Sequence, residues 1–370
     1  MSFAFSYSPD HAEIPPLLIV GAIAFVVSVL LTLAVRSLAS RWQVVDAPDA
    51  TRRLHARPVP LLGGLAIFLA VALVTWFALD RDFGLTSGLI TWKHYLGILI
   101  GAGILQIGGA LDDVKRWPAK YTFFFPVLAG IAALAGGLEV GKLTNPLGGM
   151  IAISGIFSMV GVFMWLMFMV YTTKLLDGVD GLSTSVGSVA TLMILCLTLT
   201  TTYFQPDVAL FASIILAAFL GFLMFNAPKA SIFLGEGGST LIGFLVGVLA
   251  IISGSKVAIA LLVLGIPLLD MVWVIVRRWS GGAGSGSAGE EGGWKRVLIG
   301  DRTHLHYRLL DQGWNPRQVV LFQTAASALL GIGALVLQSR EKVLLLLVLV
   351  ASMAILTTIL SLKEDGEKKL

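Results

Sequence analysis

The chain has 370 residues, of which 56% are hydrophobic and only 13% charged, and its mean hydropathy is +0.88. A soluble globular chain carries about a quarter charged residues, so an ordinary soluble domain is excluded and lipid is the medium that suits the surplus apolar surface. The formal net charge of +4 is no nucleic-acid footprint, because in a membrane chain it is the placement of positive charge that carries meaning. The single cysteine, Cys196, excludes a disulfide framework and a thiolate metal site.

In chain order, eleven apolar stretches are long enough to span a bilayer or nearly so: 15–35, 61–79, 95–111, 121–137, 155–173, 186–203, 208–227, 239–254, 257–276, 319–337 and 343–361. The expected fold class is therefore all-α, a polytopic membrane protein with about eleven helices. Residues 1–14 hold Asp10 and Glu13 but no Lys or Arg, and the first apolar run is too long for a signal-peptide core, so no cleavable signal is expected.

Eleven crossings put alternate loops on opposite sides. Intervals 36–60, 112–120, 174–185, 228–238, 277–318 and 362–370 together hold 20 of the 26 Lys and Arg; the opposite set holds six. By the positive-inside rule the first set is cytoplasmic, with the N-terminus outside and the C-terminus inside. The expected organisation is an extracytoplasmic 1–14, a single transmembrane domain over 15–361 and a cytoplasmic tail over 362–370. Within the last large loop, "SGGAGSGSAGEEGG" (280–293) reads as a flexible linker. Its formal G-x-G-x-x-G follows no predicted strand, so a dinucleotide site is rejected.

The polar motifs all fall on the basic side. Asp112 and Asp113 close the third span; adjacent carboxylates repel, and they make sense if a cation shares them. They could equally mark where a helix emerges into water. Asp177 and Asp180 stand at i, i+3, which in helical geometry puts both on one face, and Gly178 and Gly181 beside them permit close approach to a ligand. A capping or turn role is the alternative there. Glu236 is a third glycine-flanked acid, of the hard-oxygen type that suits Mg²⁺ with substrate phosphates. His304 and His306 alternate in "THLHYRLL", with Arg302 and Arg308 alongside. Five acids, two histidines and several bases on one side describe a site that handles pyrophosphate.

These motifs resemble, in order, those of the polyprenyl-phosphate N-acetylhexosamine-1-phosphate transferases (glycosyltransferase family 4, the phospho-MurNAc-pentapeptide translocase superfamily), and in particular the undecaprenyl-phosphate GlcNAc-1-phosphate transferases. "DATRRLHARPVPLLGGLAIF" resembles the family's first cytoplasmic loop, "LDDVKRWPAK" its Asp-Asp motif, "LLDGVDGLSTSV" its D-G-x-D-G-L, "FNAPKASIFLGEGGSTLIG" its F-N-x-x-P-A-x-x-F-x-G-D-x-G-S and "DRTHLHYRLLDQGW" its D-R-x-H-x-H signature. The likeness covers roughly residues 15–340.

The resemblance implies a Mg²⁺-dependent enzyme, with Mn²⁺ as a substitute ion, in the bacterial inner (plasma) membrane with a cytoplasmic active site. The phosphate of undecaprenyl (polyprenyl) phosphate would attack the β-phosphorus of a UDP-N-acetylhexosamine, releasing UMP and starting a cell-wall, teichoic-acid or O-antigen polymer. Asp112, Asp113, Asp177 and Asp180 would be the catalytic acids, with Glu236 and Asp177 on the metal. His55, Lys120, Lys174, Asn226, Arg302, His304 and His306 would bind substrate. The expected partners are the UDP-sugar, the lipid phosphate and the bilayer, with no nucleic acid; a homodimer stays open. The motif forms lean toward the GlcNAc branch, leaving other N-acetylhexosamines open.

Three positions depart from the family pattern. Lys174 stands where an Asn is usual, Glu236 where an Asp is usual, and Tyr307 where a His is often seen. A lysine ammonium cannot ligate Mg²⁺, so the inherited metal shell is in question at Lys174. An aromatic prenyltransferase would need two N/D-D-x-x-D motifs, and a transporter would need ionisable residues at mid-span. Only Asp270, late in the ninth stretch, is of that kind.

Overall fold

In the computed structural model the described residues are 14–46, 58–145, 149–254, 256–279 and 304–367. His55, Arg302 and the linker 280–293 lie outside them. The described chain is helical apart from two small antiparallel hairpins, and it forms a multi-pass membrane protein.

The long helices are α1 (Ile14–Arg41), α2 (Gly63–Asp80), α3 (Trp92–Lys115), α6 (Ile156–Leu176), α8 (Pro206–Asn226), α9 (Gly235–Ile252), α13 (Pro316–Val336) and α14 (Ser339–Glu367). Shorter ones are α4 (Ala119–Thr122), α5 (Phe124–Ala135), α7 (Leu182–Thr198), α10 (Val257–Val263), α11 (Gly265–Trp279) and α12 (Leu305–Asp311). Strands β1 (Val45–Asp46) and β2 (Val59–Pro60) pair, as do β3 (Lys142–Thr144) and β4 (Met150–Ala152).

Among the described residues, eight helices are long and apolar enough to cross a membrane, or nine if α10 and α11 count as one span. The stretches expected at 121–137 and 186–203 appear as the shorter apolar helices α5 and α7. The single stretch expected at 257–276 is broken: α10 and α11 meet at a bend of 74°. Gly265 and Pro267 explain the break, because proline has no N–H for a continuing helix yet fits the first turn of a new one.

α9 is the most enclosed helix, with every residue from Gly237 to Ile251 buried. α6 runs along one side of it and α3 along another, while α8 packs against α1 and α7. Glycines let the helices close in. A Cβ on Gly109 of α3 or Gly64 of α2 would overlap the α9 backbone at Gly237 or Gly238, so the starts of α2 and α9 and the end of α3 meet at one point. Backbone bonds lock that junction: Phe233 N donates to Pro60 O at 2.8 Å, and Gly64 N donates to Leu234 O at 2.8 Å. Many large apolar side chains stay exposed on the outer helix faces, Trp76, Leu321 and Leu329 by about 70% each. In water such a surface would drive association; against lipid it is the proper outer face, since the backbone bonds are already satisfied within the helices.

Candidate active site

The C-terminal ends of α3, α6 and α8 and the N-terminal ends of α7 and α9 come together at one end of the bundle. The joint is made of polar contacts. Asp113, in the last turn of α3, accepts a hydrogen bond from Glu236 N at 3.0 Å. It thereby caps a helix 123 residues away in sequence, placing a carboxylate where an unpaired N–H and the positive helix end both favour it. The close fit requires Gly235, whose φ is +71° and whose Cβ would run into the Asp113 carboxylate. Asp112, beside it, has one carboxylate oxygen (Oδ1) buried with no hydrogen-bond partner.

Asp177 and Asp180 are not on one helical face. Asp177 is the residue at which α6 ends, with φ −79° and ψ 48°, and Asp180 lies in the turn before α7. Gly178 and Gly181 favour the turn over a continued helix; Gly181 has φ +76°. Asp180 accepts from Ala230 N at 3.0 Å, tying this turn to the α8–α9 loop. Asn226, which ends α8, spends its amide on the same joint: Nδ2 donates to Ile232 O at 3.1 Å and Oδ1 accepts from Thr184 at 2.9 Å. The sequence motif thus holds a loop in shape, whatever it also does for substrate.

Lys174, in the last turn of α6, forms an ion pair with Glu236 in the first turn of α9. Asp177, one turn on, carries a pKa pushed up to about 8, first by burial and then by the charges of Glu236, Asp180 and Asp113.

The histidine pair lies on the same side. His304 precedes α12, with Nδ1 2.8 Å from Asp270 Oδ2, and it is 5% exposed. The His306 ring lies parallel to it, centroids 5.8 Å apart, and Nε2 of His306 is buried without a partner. Burial, and then the neighbouring His304, push His306 down to about 3, so it is neutral at physiological pH. Gly178 joins the pair to the acid turn, because a Cβ there would overlap the His306 ring and approach the Tyr307 hydroxyl. Lys120 takes no part in these contacts; it is exposed on α4 with Nζ 4.8 Å from the centre of the Tyr121 ring. None of the sequence motifs includes Asp270. Its signal was a lone acid in an apolar helix, a type of residue that in membranes usually has a partner and a purpose.

Among the described residues no three His, Cys, Asp or Glu side chains are gathered tightly enough to hold a metal ion by themselves. The chemistry of the donors nevertheless suits a hard divalent cation. The raised Asp177, the unpartnered Asp112 oxygen and the shared repulsion with Glu236 are relieved by added positive charge. Lys174 is the feature that argues the other way, since it occupies Glu236.

Comparison with known proteins agrees with this picture. The profile of glycosyl transferase family 4 matches residues 95–254, which span α3 to α9 and hold all five acids of the joint. A Bacillus subtilis protein named "Probable undecaprenyl-phosphate N-acetylglucosaminyl 1-phosphate transferase" is 26% identical over 361 residues, covering 94% of each chain. The decaprenyl-phosphate N-acetylglucosaminephosphotransferase of Mycobacterium tuberculosis is 29% identical over 86% of this chain and 81% of its own. The undecaprenyl-phosphate alpha-N-acetylglucosaminyl 1-phosphate transferase of Yersinia pestis is 29% identical over 83% and 80%. The matched segment coincides with the acid-lined junction and the relatives align along most of their length, so the chain is similar to glycosyl transferase family 4 over residues 95–254.

Proposed function

We propose that this protein transfers N-acetylglucosamine 1-phosphate from UDP-N-acetylglucosamine to a polyprenyl phosphate, undecaprenyl phosphate in the simplest case, at the cytoplasmic face of the plasma membrane. A phosphate oxygen of the lipid attacks the β-phosphorus of the nucleotide sugar. The bond from that phosphorus to the oxygen bridging the two phosphates breaks, and UMP leaves. The observation that carries the reading is the junction of α3, α6 and α9, where five carboxylates, one ammonium and two histidines meet at a membrane helix end. A lipid-borne phosphate and a soluble nucleotide can both reach such a place. The relatives' names supply the sugar and the lipid class.

The placement of 20 of the 26 basic residues on one side supports an eleven-span reading with this junction facing the cytoplasm. Asp177, Glu236 and Asp112 are the residues we assign to a Mg²⁺ ion, with Mn²⁺ as a substitute. Bound there, the ion offsets the negative charge that two phosphates bring together. Asp113 holds the start of α9, and so Glu236, in place. Asp180 and Asn226 fix the α8–α9 loop around the nucleotide side. Lys174 adds a fixed positive charge beside the phosphates, and His304 is the imidazole available to them.

The test is an assay of purified protein in nanodiscs with undecaprenyl phosphate and a panel of UDP-sugars, with Mg²⁺ or with EDTA. UMP and a lipid-linked product should form with UDP-N-acetylglucosamine and cease in EDTA. No UMP from any UDP-sugar would refute the transferase reading, and full turnover in EDTA would refute the metal assignment.

A further inference from the structure

Asp270 stands in α11, a helix of otherwise largely apolar residues, and is only 6% exposed. Both of its carboxylate oxygens are engaged by one short segment 34 and 35 residues on. Oδ2 lies 2.8 Å from His304 Nδ1, and Oδ1 accepts from Leu305 N at 2.9 Å. An ionised carboxylate only accepts, so Nδ1 of His304 must carry hydrogen, in the neutral ring as in the charged one. In the neutral ring the lone pair is then on Nε2, the reverse of the form an isolated histidine side chain prefers in water. The second oxygen, on the Leu305 backbone, stops the carboxylate from turning away.

The ring is held on its faces too. His306 stacks parallel to it, with an interplanar angle of 2°, and is itself wedged against Gly178 of the acid turn. The cavity bordering the pair is lined by Leu175, Leu176, Ile266, Pro267 and Gln323, and His304 and His306 are both buried. A histidine this enclosed is usually a packed core residue, and a core residue needs no carboxylate. Desolvating Asp270 is costly and is offset only through its bonds to His304 and Leu305 N, which marks the pair as more than filling.

We propose that Asp270 is a positioning residue of the transfer reaction, fixing His304 with hydrogen on Nδ1 so that Nε2 is the nitrogen that takes up a proton and, once protonated, donates to the substrate phosphates. The effect on turnover rests on the function proposed above; the protonation pattern does not. Asparagine cannot substitute. One of its two atoms is an NH₂, so either the His304 bond or the Leu305 bond becomes donor against donor, or the histidine exchanges its proton to the other nitrogen. Glutamate keeps both acceptors on a longer arm.

The chain has five histidines, few enough for nitrogen-15 NMR of the histidine-labelled full-length protein in nanodiscs, with the His304 signals identified by their loss in His304→Gln. Nδ1 of His304 should carry the proton in the unmodified protein; a neutral ring protonated only at Nε2 overturns the proposal without reference to any substrate. Asp270→Asn should move that proton to Nε2 and lower kcat by about 10–100-fold, the range for partners that orient a functional histidine. The KM for UDP-N-acetylglucosamine should stay within about threefold, because the interaction lost is made in the transition state. Asp270→Glu should recover part of the rate. Wild-type kcat in Asp270→Asn, or equal losses in the Asn and Glu variants, overturns the positioning role. A protein that turns over no UDP-sugar but shows the Nδ1 proton refutes the function and leaves the Asp270–His304 pairing standing.

Discussion

Replacing Lys174 by methionine separates the two things its ammonium does: neutralising Glu236 and occupying it. The Lys174 and Glu236 side chains are 29% and 20% exposed. Breaking a fully buried ion pair from one side costs about 3–5 kcal/mol, and an exposed pair is worth about 0–1 kcal/mol. With this partial burial, Lys174→Met should cost about 1–3 kcal/mol of metal-free stability. At about 2–4 °C per kcal/mol for a large domain, the melting temperature in EDTA should fall by several degrees. Metal binding should move the opposite way. Glu236 is freed as a ligand and a like charge is removed, so Mn²⁺ should bind at least about tenfold tighter, which is about 1.4 kcal/mol. Loss of the free-ion Mn²⁺ EPR signal on titration measures this without any turnover. An unchanged melting temperature together with an unchanged Mn²⁺ affinity would refute the reasoning, because the pair would then neither hold the junction nor compete with the ion. Among replacements, Lys174→Asn should keep more transferase activity than Lys174→Glu, which adds a sixth acid to the cluster.

Other perturbations read other parts of the junction. Because the Asp177 pKa is raised to about 8, the stability it contributes is full below about pH 4 and is lost as pH rises through 8. The metal-free melting temperature should therefore fall between about pH 4 and 8, and Asp177→Asn should reduce that fall while abolishing turnover, leaving the share of Asp113, whose carboxyl burial pushes up to about 7. For the same reason Mg²⁺ binding near pH 7 should release about one proton from Asp177 and a further fraction from Asp113, seen as a buffer-dependent heat in calorimetry. Gly235→Ala combines a positive φ with a Cβ driven into Asp113 and should cost about 2–3 kcal/mol in thermal unfolding. Asp113→Asn keeps an acceptor for Glu236 N, so it should melt within about 1 kcal/mol of wild type yet lose turnover; full activity would reduce Asp113 to a cap.

The parts of this site that could be read from sequence are those whose physics is local. Apolar runs of bilayer length identify spans, and alternation of loop sides puts Asp112, Asp113, Asp177, Asp180, Glu236 and the H-x-H segment together without any coordinates. What could not be read depends on which helix ends touch. Asp113 and Glu236 look like two independent acids until α3 and α9 are brought together, and then one caps the other's helix. The pair Asp177 and Asp180 has helical spacing, but the helix stops at the first of them because Gly178 between them and Gly181 just after make a turn the better solution. Asn226, a motif residue by pattern, proves to hold its own loop.

Lys174 and Asp270 show the same limit from opposite directions. Lys174 departs from the pattern of the motif, and sequence can flag the departure but not name the carboxylate that answers it. Asp270 belongs to no motif in the reading of the sequence, and only its cost in an apolar helix marked it. Both charges find partners across the fold, Glu236 and His304, and each pair joins a helix end to the element that carries the next motif. Because a charge left unpaired at such a junction is far more costly than a paired one, neither partner can change alone without loosening the joint. The motifs are thus held together in space by pairs of residues that lie far apart along the chain.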